Sequence, residues 1–204
     1  MAAGGGCDLS SDEDRSDERG PRAGESGQRA PAALVERLRR GGYVVALRHA
    51  ATDSAVDMTG DLRDCSRQRN LNAQGRRQAR AIGRAFRRLE IPVGRVLASP
   101  FCRTRDTARL AFGRLRPSRA LLSADFFGGG EAVKQQRAGL RTLLSLPPRR
   151  GSNTVLVSHE AAIADATGVT VDEGEAAIVA PRDPRGFRVL ATVEAGEWAE
   201  AQGR

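Results

Sequence analysis

The chain is poor in the residues that build most specialised sites. Its 204 residues include three cysteines, two histidines, one tryptophan, one tyrosine and a single lysine, and aromatics make up only 4%. Three cysteines without a CxxC pair exclude a disulfide scaffold and a cysteine-based zinc site. Two histidines are too few for a catalytic metal bound mainly by imidazole. Scarce aromatics leave little to stack on the bases of a single-stranded nucleic acid. No run approaches the length of about 18 apolar residues that a transmembrane helix needs. The 40% hydrophobic content is still enough to bury a core.

Arginine is what the chain has in excess. Basic residues number 33 against 25 acidic ones, for a net charge of +8, and all but Lys134 are arginine. The arginine preference fits a GC-rich coding sequence. A basic excess favours an anionic partner: nucleic acid, an acidic membrane surface or a phosphorylated small molecule. The charge is unevenly spread. Residues 1–30 hold seven acidic and four basic residues, net −3, with almost nothing to bury, and read as a disordered acidic tail. Residues 31–204 form one domain with 29 basic and 18 acidic residues. The tail has no apolar h-region, so no secretory signal is read and the expected localisation is cytoplasmic. Residues 60–119 hold 16 arginines against four acids, and those on the helix expected over 73–90 read as its solvated face.

Periodicity in the body alternates between strand and helix. Helices are expected over 31–40, 73–90, 131–146 and 160–167. A further helix opens at Ser99-Pro100, with Ser99 as N-cap and Pro100 at its first position, and runs to Phe112. Buried strands are expected at 43–47, 93–98 and 154–158. A late hairpin at a sheet edge covers 176–180 and 187–193. Residues 52–70 read as a loop. This alternation is α/β: three layers, helices on both faces of a mainly parallel sheet.

Both histidines directly follow a buried strand, His49 after the first and His159 after the third. Ligands of open α/β sheets bind beyond the carboxyl ends of the strands, so parallel neighbours would bring both to one rim. Arg48 precedes His49. Arg103 falls in the first turn of the helix after strand 93–98, where the helix dipole also favours an anion. Guanidinium groups bind phosphate bidentately at any working pH, and an imidazole serves as nucleophile or donor.

Four blocks carry a resemblance. They are Leu47-Arg48-His49-Ala50-Ala51-Thr52, Asn70-Leu71-Asn72-Ala73-Gln74-Gly75-Arg76-Arg77-Gln78-Ala79, Ser99-Pro100 with Arg103, Thr104, Thr107 and Ala108, and Val155-Leu156-Val157-Ser158-His159. In this order they resemble the signatures of the histidine phosphatase (phosphoglycerate mutase-like) superfamily. Residues 64–71 and Phe101-Cys102-Arg103 further resemble a small bacterial branch related to lipopolysaccharide core heptose phosphate phosphatases. The resemblance implies a metal-independent phosphomonoesterase with no cofactor and a small phosphorylated substrate, without nucleic acid or membrane as partner. His49 would be the nucleophile that carries a phosphohistidine. Arg48, Arg103 and His159 would hold the phosphoryl oxygens, and Thr52 and Asn70 would add polar contacts. Ala50 stands where the family usually has glycine.

A general acid needs a carboxyl near the rim. Asp125 is the first choice and Glu160 the second, with Glu131 on the same loop as Asp125. Cys65 and Cys102 flank segments of the expected site. Without a secretory signal the expectation is two reduced thiols, a disulfide being the alternative in an oxidising compartment. Other readings are a protein phosphohistidine phosphatase, a catalytically inactive phosphate-binding member of the same fold, and an arginine-rich nucleic-acid-binding module. A mutase is disfavoured, because the stretch between Arg103 and His159 is short for a lid that retains an intermediate.

Overall fold

The structure, a computed structural model, describes residues 1, 32–53, 61–123, 126, 130–182, 184 and 186–200. The acidic tail and Asp125 lie outside the described residues.

Among the described residues six strands form one sheet: β1 (Val44–Arg48), β2 (Val93–Ala98), β3 (Arg116–Pro117), β4 (Asn153–Ser158), β5 (Ala176–Pro181) and β6 (Phe187–Val193). Their order is β3-β2-β4-β1-β5-β6. The pairs β1–β4, β2–β4 and β2–β3 are parallel, and β5 and β6 add an antiparallel edge. Among the described residues six helices surround it: α1 (Ala32–Arg40), α2 (Ala73–Arg88), α3 (Cys102–Phe112), α4 (Glu131–Ser145), α5 (Glu160–Thr167) and α6 (Ala195–Glu200). The α/β class and the mainly parallel sheet are as the sequence predicts. Strand β3, helix α6 and the short 3₁₀ turns at Cys65–Arg67 and Arg119–Leu121 are additions.

Alternation along the strands divides the core in two. Val45 and Leu47 of β1 face α1, α2, α3 and α6 with Leu38, Ile82, Phe86 and Trp198. Val44 and Ala46 face α4 and α5 with Leu140, Leu144 and Ile163. Strand β4 is buried along its whole length, as expected of a central parallel strand. On helix α2 the apolar stripe Ala79, Ile82, Ala85 and Phe86 is buried while most of its arginines are exposed, which fits the solvated face expected for them.

Helix α3 begins later than predicted. Its cap position is Phe101, which has no side-chain cap bond. Instead Gln68 Oε1, from the loop before α2, accepts the Cys102 N–H at 2.8 Å. The Ser99 hydroxyl accepts the Phe101 N–H at 3.5 Å and lies 2.9 Å from His159 Nε2. Arg103 still falls in the first turn.

Candidate active site

The parallel register of β1 and β4 sets Arg48 opposite Ser158, and the His49 N–H donates to the Ser158 carbonyl at 3.0 Å. The next residues along each strand, His49 and His159, therefore leave the sheet side by side. Their rings meet edge to face with centroids 5.6 Å apart. Both are buried, at 5% and 4% exposure.

The two rings are committed differently. His49 Nδ1 lies 2.9 Å from the Ala50 carbonyl, a bond that requires the proton on Nδ1 and leaves the Nε2 lone pair available. His159 is held the other way round: its Nε2 lies 2.9 Å from Ser99 Oγ, and its buried Nδ1 has no partner among the described residues. Burial pushes both imidazoles down, His49 to about 3 and His159 well below its ordinary value, and Arg103 lowers both further. Both rings are neutral near pH 7.

Positive charge surrounds them. Arg103 is 7% exposed and lies 4.3 Å over the Phe101 ring, which packs edge to face on His159 at 5.2 Å. Thr107 ties α3 to the nucleophile segment, because its hydroxyl accepts the Ala50 N–H at 3.0 Å and donates to the Arg103 carbonyl at 2.7 Å. Arg48 donates to the Val171 carbonyl at 2.9 Å and pairs with Glu160 at 2.8 Å. Its buried Nε has no partner among the described residues. Buried donors left unsatisfied in this way are costly, and an anion between the rings would supply acceptors.

The α2 start explains its own motif. Asn72 Oδ1 accepts the Gly75 N–H at 2.7 Å, and Asn72 Nδ2 donates to the Thr52 carbonyl at 3.0 Å. Any Cβ on Gly75 would overlap the Ala51 carbonyl, so glycine is required for this approach. Gln78 accepts the Ala51 N–H at 2.9 Å and donates to the Glu173 carbonyl at 2.8 Å. Ala50 is fully buried and packs with Leu71 and Ala79, so its methyl group fills core rather than the rim.

Of the other sequence candidates, Thr52 lies at the site but donates to Glu173 at 2.7 Å and accepts from Arg69 Nε at 2.6 Å. The Asn70 amide is spent on the Cys65 and Gln68 carbonyls at 2.6 and 2.9 Å. Glu160 is bound to Arg48, and Glu131 is exposed and pairs with Lys134 at 3.3 Å. Cys65 and Cys102 are joined in a disulfide with Cα atoms 5.8 Å apart, in place of the expected free thiols. With the Gln68 cap, this bridge pins the 61–70 loop to the turn that bears Arg103.

Sequence reasoning missed Glu173 and Arg69. Glu173 Oε1 lies 4.0 Å from His49 Nδ1 and 3.1 Å from Arg69 Nη2. Its place follows from topology: β5 runs antiparallel to β1, so the residues that enter β5 lie at the rim where β1 ends. The acidic run Asp172-Glu173-Gly174-Glu175 before an edge strand was the available signal. Among the described residues no group of three or more His, Cys, Asp or Glu side chains could hold a metal ion, and no helix is long and apolar enough to cross a membrane.

A model of the histidine phosphatase superfamily (branch 1) matches residues 44–124, which hold His49, the Gly75–Gln78 turn and Arg103. Similar solved structures include the protein histidine phosphatase SixA complexed with tungstate, at 14% identity and a TM-score of 0.54, covering 76% of this chain and 97% of that one. A phosphoglycerate mutase from Thermus thermophilus is 22% identical with a TM-score of 0.50, covering 74% of this chain and 98% of that one. At such identities the likeness is one of fold. No curated protein matches the sequence. Over residues 44–124 the chain is thus similar to the histidine phosphatase superfamily, and the solved structures share its fold.

Proposed function

We propose that the protein is a phosphomonoesterase that works through a phosphohistidine on His49. The observation that carries the reading is the pair of buried, neutral imidazoles with opposite commitments, one with Nε2 left available and the other with Nδ1 unpartnered. The Nε2 lone pair of His49 attacks phosphorus in line. The ester P–O bond breaks and its electron pair leaves with the oxygen. Arg48, Arg103 and His159 offset charge on the equatorial oxygens. Water then attacks phosphorus, the N–P electron pair returns to Nε2, and the water's proton passes to solvent as phosphate departs. The arginines supply the positive charge, and the reading calls on no metal. Arg48 exchanges Glu160 for the phosphoryl group as substrate enters.

Hydrolysis of p-nitrophenyl phosphate tests this, because its phenolate leaves without a general acid. Wild type should turn it over, and His49→Ala should lose roughly a thousandfold or more in rate. Equal rates would defeat the mechanism, and nucleic-acid binding that survives the substitution would then favour the arginine-rich module.

A second substrate class, a phosphohistidine in another protein, is supported by the fold shared with the protein histidine phosphatase SixA. Sugar phosphates, heptose phosphates among them, are the class implied by residues 64–71 and 101–103. Comparing kcat/KM on a phosphohistidyl protein with that on a sugar phosphate panel separates the two.

A further inference from the structure

Among the described residues four carboxylates lie near the two histidines, and they differ in what holds them. Glu160 follows His159 in sequence yet is drawn to Arg48. Asp172 is 93% exposed and Arg48 is 4.0 Å away. Glu175 folds back to accept the Asp172 N–H at 2.7 Å. Of the four, Glu173 is the one brought to the nucleophile.

The segment that carries Glu173 is built onto His49. The Gly174 N–H donates to the His49 carbonyl at 3.0 Å, and the Glu173 carbonyl accepts from Gln78. The turn closes on itself through the Glu175 N–H and the Asp172 carbonyl at 2.9 Å. Gly174 has φ +82, and Gln78 occupies the place a Cβ would take, so another residue would be strained and would clash there. The Glu173 carboxylate is 25% exposed and accepts from both the Thr52 hydroxyl and the Arg69 guanidinium. These two bonds fix the carboxylate 4.0 Å from His49 Nδ1.

We propose that Glu173 is the positioning residue of His49, the carboxylate that stabilises the charge on its ring while Nε2 carries the phosphoryl group. This rests on the reading of His49 as nucleophile. The ring starts neutral, with its single N–H directed at the Ala50 carbonyl. When Nε2 bonds phosphorus that proton has nowhere to go, so the ring becomes a cation. Arg48, Arg69 and Arg103 all oppose that cation, as they oppose protonation of the same ring. Glu173 is the counter-charge within reach. The arrangement parallels the aspartate that steadies the imidazolium of a Ser-His-Asp triad without taking its proton. The tasks are divided here, since the Ala50 carbonyl fixes the tautomer and Glu173 supplies the charge.

The role separates rate from anion affinity. A negative charge beside the site helps the ring cation but repels phosphate. Glu173→Gln keeps an oxygen for Thr52 and Arg69 and removes only the charge. Two measurements decide: the burst of p-nitrophenolate that reports phosphorylation of His49, and calorimetric binding of inorganic phosphate, which needs no turnover. The variant should slow the burst by roughly tenfold or more while binding phosphate several-fold tighter. An unchanged burst in an otherwise active enzyme overturns the role of Glu173 alone. A slower burst with weaker phosphate binding marks a merely structural residue and also overturns it. A wild type with no burst and no acid-labile phosphoenzyme would sink the His49 reading itself, and this proposal with it.

Discussion

The two sides of the site are held by different means. On one side His49, His159 and Arg48 leave adjacent parallel strands, and backbone bonds between β1 and β4 set their spacing. On the other, Arg69, Thr52 and Glu173 sit on loops fixed by single side chains: Gln68 onto Cys102, Gln78 onto Glu173, and the Cys65–Cys102 bridge. A sheet ladder distributes the work of positioning over many bonds. A loop tie concentrates it, so one substitution or one reduction can undo it. The sheet side should therefore keep its geometry under changes that release the loop side.

The largest test of that difference is the bridge. It closes a segment of 37 residues, and by chain entropy its removal in Cys65→Ser should cost roughly 3 to 4 kcal/mol of stability. Chemical denaturation of wild type against variant measures this. Phosphate binding should weaken without being lost, because Arg48 and the two histidines stay on the sheet, while turnover falls further as Arg69 and the Arg103 turn loosen. Denatured, unreduced protein should show one reactive thiol, that of Cys7; three would remove the bridge. Such a bridge persists where thiols are not continually reduced, so thiol titration of protein drawn directly from cells also tests the cytoplasmic expectation.

The sheet side has its own weakness, in acid. Below pH 6.5 the unfolded chain's histidines take up protons that the buried rings refuse. Stability from this source is intact above pH 6.5 and is lost as pH falls toward the folded value, about 3 for His49. Each refused proton contributes a slope of about 1.4 kcal/mol per pH unit. His159→Asn removes one such group, lowered chiefly by burial. Its unfolding free energy should fall less steeply between pH 6 and 4.5 than that of wild type. Parallel slopes would mean that His159 is not buried neutral.

The same division explains what is legible in the sequence. The sheet side is local: an apolar run ends in a histidine, and period and position suffice to place it. Helices α2, α4 and α5 lie where their apolar spacing puts them. The loop side depends on contacts between residues distant in sequence. Glu173 reaches His49 only because β5 turns antiparallel, 124 residues after the nucleophile, and no periodicity encodes that return. The start of α3 departs from expectation for a similar reason, since Ser99-Pro100 is a good local cap signal but a remote glutamine outcompetes it. The flanking motifs of Cys65 and Cys102 make them neighbours, yet their pairing turns on a compartment argument, and the missing secretory signal points that argument the other way.

Asn72 sits where the two sides join, and it gives the smallest effect. Its Oδ1 caps α2 through the Gly75 N–H, and its Nδ2 holds the Thr52 carbonyl. Asn72→Ala should cost about 1 kcal/mol, the usual penalty for a lost N-cap. If the cap were its whole function, Asn72→Ser, which restores an acceptor but no amide donor, would recover both stability and activity. If the tie to Thr52 also matters, serine recovers stability alone, and turnover stays low because Thr52 no longer holds Glu173 and Arg69 in register beside His49. A serine variant as active as wild type would mean that the loop side is held at this point by α2 and not by the asparagine amide. The melting temperature and kcat of the two variants, taken together, distinguish these outcomes.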